Sequence, residues 1–123
     1  MRKILIVDDS KFIRSVVRRF VESLGFAADE AEDGRQALEF CKAAGPPDGI
    51  ILDIIMPVMD GHEFLRTIRQ DPRFQNCAVI MCTTKSEPAE IEATMAAGAN
   101  EYIMKPFTED ILADKLRQVG LLT

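Results

Sequence analysis

The chain has little of what metal-sulfur, redox or membrane chemistry requires. Its 123 residues include three cysteines and one histidine, His62. No CxxC pair occurs, and Cys77 and Cys82 stand an odd number of residues apart on one expected strand, which points them to opposite faces. They neither pair locally nor share a metal, and with Cys41 they read as small buried hydrophobes. No apolar run approaches the roughly 20 residues of a membrane span. The opening Met1-Arg2-Lys3 leads into four apolar residues and then Asp8, too short for a signal-peptide core, so no export signal is expected and the cytoplasm is the expected compartment. No GxGxxG or GK[ST] loop follows a strand, which removes two glycine-rich phosphate cradles. Fifteen Lys and Arg stand against 20 Asp and Glu, and a net charge of −5 argues against nucleic-acid binding, DNA included. No linker, repeat or low-complexity tract divides the chain, so one domain over residues 1–123 is expected, with no output domain after the last helix.

What is present is a regular alternation of strand and helix. Residues 4–7 read as a buried strand, and Ser10 opens a helix whose apolar residues, Phe12, Ile13, Val16, Val17, Phe20 and Val21 among them, recur at the helical period until Gly25 stops it. Residues 26–31 form a weaker strand that carries Asp29 and Glu30, as an edge would. A second helix over 34–44 turns Ala37, Leu38 and Cys41 inward. Ile50, Ile51 and Leu52, with no polar alternation, read as a strand buried on both faces that delivers Asp53. Turns at Met56-Pro57 and Asp60-Gly61 precede a helix over about 61–70 that buries Phe64, Leu65 and Ile68. A strand over 78–83, a helix opened by Ser86 and Pro88, a strand over 102–104 and a helix from Thr108 through Ile111, Leu112, Leu116 and Val119 complete the chain. Five such units with right-handed crossovers imply an α/β fold, a doubly wound parallel sheet covered by helices on both faces.

In open α/β sheets ligands bind outside the carboxyl ends of the strands. There the chain places Asp8 and Asp9 after the first strand, Asp53 on the third, Thr83 on the fourth and Lys105 after the fifth. Crowded carboxylates repel one another, and a cation relieves them. Hard oxygen donors favour Mg²⁺, whereas zinc would want the His or Cys ligands that this rim lacks. With a metal and an ammonium beside it, Asp53 can act as a nucleophile toward a phosphoryl group.

Four motifs in order, Ile4 to Ser10 (ILIVDDS), Asp53 to Gly61 (DIIMPVMDG), Thr83-Thr84 and Lys105-Pro106-Phe107, resemble end to end the receiver domains of bacterial two-component response regulators, of the single-domain, CheY-like kind. The resemblance implies a flavodoxin-like (CheY-like) five-stranded sheet of order 2-1-3-4-5 with five helices. It implies Asp53 as phosphoacceptor and Mg²⁺ held by Asp8, Asp9, Asp53 and the backbone carbonyl of Ile55. It implies Thr83 as the switch hydroxyl, Tyr102 as the aromatic that follows it, Lys105 as partner of the phosphoryl group, and a cis Lys105-Pro106 peptide. The partners implied are a sensor histidine kinase or histidine phosphotransfer protein, and a target protein on the face of the fourth helix, fifth strand and fifth helix. Chemotaxis and a phosphorelay both fit.

Ile55 and Lys85 depart from residues that in many receivers help orient the hydrolytic water, which implies slow loss of the phosphoryl group. An aspartate-nucleophile phosphohydrolase needs an acid two residues after the nucleophile, where this chain has Ile55, so turnover on a separate substrate is not expected. A flavin carrier would not place Asp8 and Asp9 in its phosphate loop. A phosphate-independent binding module on the same fold is the remaining alternative, one that has no need of all five rim residues. His62 reads as the cap of a solvated helix turn, and Arg14, Arg18 and Arg19 as the solvated side of the first helix.

Overall fold

The computed structural model describes residues 2–84 and 88–123. Five strands, β1 (Lys3–Val7), β2 (Ala27–Ala31), β3 (Gly49–Asp53), β4 (Ala78–Thr83) and β5 (Glu101–Met104), pair in parallel in the order β2-β1-β3-β4-β5. The helices are α1 (Lys11–Ser23), α2 (Gly34–Ala44), α3 (Gly61–Arg69), α4 (Pro88–Ala96) and α5 (Glu109–Gln118). This is the expected flavodoxin-like, CheY-like architecture. A short 3-10 turn over Pro72–Phe74, which the sequence pattern did not suggest, buries Phe74 before β4. Among the described residues no helix is long and apolar enough to cross a membrane.

The central strands sort their side chains by the two-residue period. Leu5, Val7, Ile50, Leu52, Val79 and Met81 face Ala37 and Cys41 of α2 and Phe64, Leu65 and Ile68 of α3. Ile4, Ile6, Ile51, Ile80, Cys82 and Ile103 face Val17 and Val21 of α1 and Leu112 and Leu116 of α5. Each fully buried aliphatic side chain contributes about 1.5–3 kcal/mol, so the continuous apolar strands, and not any ion pair, hold the layers together. Cys77 and Cys82 lie in different clusters, and all three cysteines are free and buried.

Side-chain caps set four helix starts. Ser10, Asp33, Asp60 and Thr108 each accept a hydrogen bond from the backbone N–H three residues on, about 1 kcal/mol apiece. Gly61 begins α3 directly beneath β3, where any Cβ would collide with the Asp53 carbonyl oxygen, so the helix is tucked under the strand end that carries Asp53. In the same loop Val58 holds a φ of 69°, a conformation that costs a β-branched residue about 1–2 kcal/mol.

Phase along the helices corrects three expectations. Val17 and Val21 centre the inward stripe of α1, and at about 100° per residue Phe12 falls about 140° away from Val17. Phe12 is accordingly 73% exposed. Ile111 bears the same relation to Leu116 and is 46% exposed. Arg14, read as part of a solvated face, lies nearly in line with Val21 and is only 7% exposed. The strand boundaries move by a residue: Phe26 packs in the core ahead of β2, β3 begins at Gly49 and β5 at Glu101. Ser86 and Lys85 lie outside the described residues.

Candidate functional site

The carboxyl ends of β1, β3 and β4 converge with the loop after β5. Beyond Val7 the Asp8 N–H still donates to the Ala31 carbonyl of β2 at 3.2 Å, so the β1 ladder carries Asp8 to the rim in register. Its side chain is buried. Asp8 Oδ1 accepts the Ser10 N–H at 2.9 Å and Oδ2 accepts from Lys105 Nζ at 2.6 Å. Asp53 is the last residue of β3, paired with Cys82, and its Oδ2 lies 3.4 Å from the same ammonium. Asp9 is exposed beside them. One carboxylate oxygen from each of Asp8, Asp9 and Asp53 lies within 4.8 Å of the others.

Electrostatics follow from this crowding. Burial raises the Asp53 pKa, and the charges of Asp8 and Asp9 push the same way against the attraction of Lys105. Burial alone would pull Lys105 down, but its hydrogen bond to Asp8 and the charges of Asp53 and Asp8 outweigh that, so its pKa is raised and it stays an ammonium. The rim thus holds more negative charge than Lys105 neutralises. The donors are all hard oxygens, and the exposure of Asp9 leaves one side open to water. This set fits a hard divalent cation that keeps part of its hydration, and no nitrogen or sulfur ligand belongs to it.

Thr83 ends β4, buried, one residue past the partner of Asp53, and its carbonyl accepts the Lys105 N–H at 2.8 Å. The hydroxyl-bearing strand and the lysine loop are therefore joined by backbone. The Lys105-Pro106 peptide is cis, as expected. Ile55 lies in the loop two residues after Asp53 and is 62% exposed, clear of the core. Tyr102, opposite Met81 on β5, is half-buried at the sheet edge, with Lys115 Nζ 4.9 Å over its ring.

The structure gives Arg14 and His62 roles other than those the sequence pattern suggested. Arg14 donates from Nη1 to the Asp8 carbonyl at 2.8 Å and from Nε to Glu30 Oε1 at 3.0 Å, so it supports the rim from behind. Its phase with Val17 and Val21 was the available signal. His62 does not cap a solvated turn: its Nε2 lies 3.0 Å from the hydroxyl of buried Thr94, tying α3 to α4.

Residues 4–117 match the response regulator receiver domain family. Over 118 residues the chain is 38% identical to chemotaxis protein CheY1 of Helicobacter pylori, covering 95% of each. It is 36% identical to chemotaxis protein CheY of Pseudomonas aeruginosa, over 95% of this chain and 94% of that one. The solved structure of chemotaxis protein CheY4 of Vibrio cholerae is similar at a TM-score of 0.91 with 36% identity, covering 97% of this chain and 98% of that chain. With its acid-rich strand rim and near full-length likeness to these proteins, the chain belongs to the response regulator receiver domain family and is a phosphorylatable signalling switch.

Proposed function

We propose that Asp53 is the residue that takes the phosphoryl group, donated by the phosphohistidine of a sensor kinase or phosphotransfer protein, or by a small phosphodonor. The observation that carries this is the placement of the Asp53 carboxylate at a buried strand end, 3.4 Å from the Lys105 ammonium and against Asp8 and Asp9. Asp53 Oδ attacks phosphorus, the P–N bond to the donor imidazole breaks, and the leaving nitrogen takes a proton from solvent. Lys105 then turns its ammonium from Asp8 toward the phosphoryl oxygens. Asp8, Asp9, Asp53 and the Ile55 carbonyl hold Mg²⁺. When bound, the ion neutralises charge on the transferring oxygens. Ile55 supplies no second acid, so the chain catalyses only its own phosphorylation and dephosphorylation.

The output is protein binding. The Thr83 hydroxyl gains a charge-assisted bond to the new phosphoryl group, Tyr102 follows it inward, and the face of α4, β5 and α5 changes for a target protein. Carrying a 99:1 equilibrium to the reverse takes about 5.5 kcal/mol, more than the roughly 1.5–3 kcal/mol of one such bond, so the Lys105 shift is part of the switch. The relatives' names place them in chemotaxis, and that pathway, in the cytoplasm, is the one we assign to this chain. We read one receiver domain across it, with no surface for DNA and no membrane insertion.

Acetyl phosphate with Mg²⁺ should add one phosphoryl mass to the intact protein, and Asp53→Asn should abolish the gain. An Asn variant that gains the same mass would show that another residue is the acceptor.

A further inference from the structure

Asp8 has all its own hydrogen-bonding groups committed, and one of them is not explained by the strand or the ion pair. β2 ends at Ala31, so the Asp8 carbonyl has no strand partner on that side. That carbonyl belongs to the same peptide plane as the Asp9 N–H, and its rotation would swing one carboxylate relative to the other. The Arg14 guanidinium closes the gap from α1, 2.8 Å from the Asp8 oxygen. Glu30 on β2 holds the guanidinium from the other side at 3.0 Å, and Arg18 holds Glu30 at 2.6 Å while donating to the Ala28 carbonyl at 2.8 Å. Arg14 alone thus reaches the Asp8–Asp9 peptide, and Glu30, itself held by Arg18, orients it.

We propose that Arg14, oriented by Glu30, is a positioning residue for the divalent-cation site: it fixes the Asp8–Asp9 peptide so that both carboxylates meet one ion. The proposal rests on the metal reading above. Charge and position make opposite demands here. A buried guanidinium repels a nearby cation, so if charge were all that mattered, Arg14→Met would tighten Mg²⁺ binding. If Arg14 positions the ligands, the same change loosens it, and lost outer-shell hydrogen bonds typically weaken metal sites by about 10–100-fold.

The test is a Mg²⁺ titration of the purified chain, followed by calorimetry and by amide NMR shifts, on wild type, Arg14→Met, Arg14→Lys, Glu30→Gln and Arg19→Met. Arg19 is exposed on the same helix and controls for charge. The dissociation constant should rise about tenfold or more in Arg14→Met, less in Glu30→Gln, and not at all in Arg19→Met. Arg14→Lys keeps the charge and one donor and should recover part of the loss. A folded Arg14→Met that binds Mg²⁺ as tightly as wild type, or more tightly, overturns the proposal. If Arg14→Met does not fold, Arg14→Lys decides: a weakened constant at equal charge supports positioning, and an unchanged one overturns it. A wild type that binds no Mg²⁺ overturns the metal reading, and this proposal with it.

Discussion

At the β2 edge, α1 is fastened to the strand beneath it: Arg14 and Arg18 both grip Glu30, Arg18 also holds the Ala28 carbonyl, and α1 buries Arg14, Val17 and Val21. At the β5 edge, α4 buries one of its nine residues, Thr94. That residue meets His62 of α3, and the loop that follows α4 is held by Arg69, whose Nε reaches the Gly98 carbonyl at 3.0 Å and whose Nη2 reaches Asn100 Oδ1 at 2.8 Å. Asn100 in turn accepts the Val79 N–H of β4 at 2.8 Å. Arg14 and Arg18 hold α1 to β2 on successive turns, and Thr94 ties α4 to α3. The switch proposed above, which holds its metal ligands still while it reshapes the face of α4, β5 and α5, draws on this asymmetry, because among the described residues displacing α4 uncovers one buried residue and displacing α1 uncovers three.

The largest expected effect comes from cutting the bonds that hold the loop after α4. Arg69→Ala removes three hydrogen bonds from a charged donor, to Gly98, Phe74 and Asn100, and should cost about 3 kcal/mol in urea unfolding. Its amide exchange should speed up over residues 88–100 more than over 11–23. A smaller loss, about 1–2 kcal/mol, should follow His62→Ala, which strands the buried Thr94 hydroxyl. Adding Thr94→Val to that variant should cost less than the two single changes together, since they share one bond.

The smallest effect belongs to the fixed flank and is one of pH. Burial works against ionised Glu30, but its hydrogen bonds to Arg18 and Arg14 and their charges win, so its pKa is lowered from 4.5. A carboxylate depressed on folding contributes stability that is fully present above its unfolded value and is lost as pH falls through the folded value. The stability difference between wild type and Glu30→Gln should therefore be constant near neutrality and close in the acid range below 4.5. A difference that widened as the pH fell would mean that the Arg14 and Arg18 pairs do not hold Glu30 in its charged form.

Much of this was legible in the sequence where one residue type repeats along one element. Ile50 to Leu52 lack polar alternation because both faces of β3 are covered, and the acids at the rim stand out because parallel strands that end together bring their next residues to one edge. Residue type misleads where phase decides. Phe12 and Ile111 are apolar but point outward, while Arg14 is charged but shares a helix face with Val21. The partner of His62 is 32 residues away, across a strand and a loop, and no local pattern contains that distance. Lys85, expected beside the phosphoryl group, lies outside the described residues.

The most direct test of the asymmetry is backbone amide exchange, measured residue by residue before and after phosphorylation by acetyl phosphate in saturating Mg²⁺. Exchange should change over β4, α4, β5 and the start of α5, with Tyr102 among the affected residues, and stay the same over α1 and β2. Equal changes on both flanks, or changes confined to α1 and β2, would contradict the account.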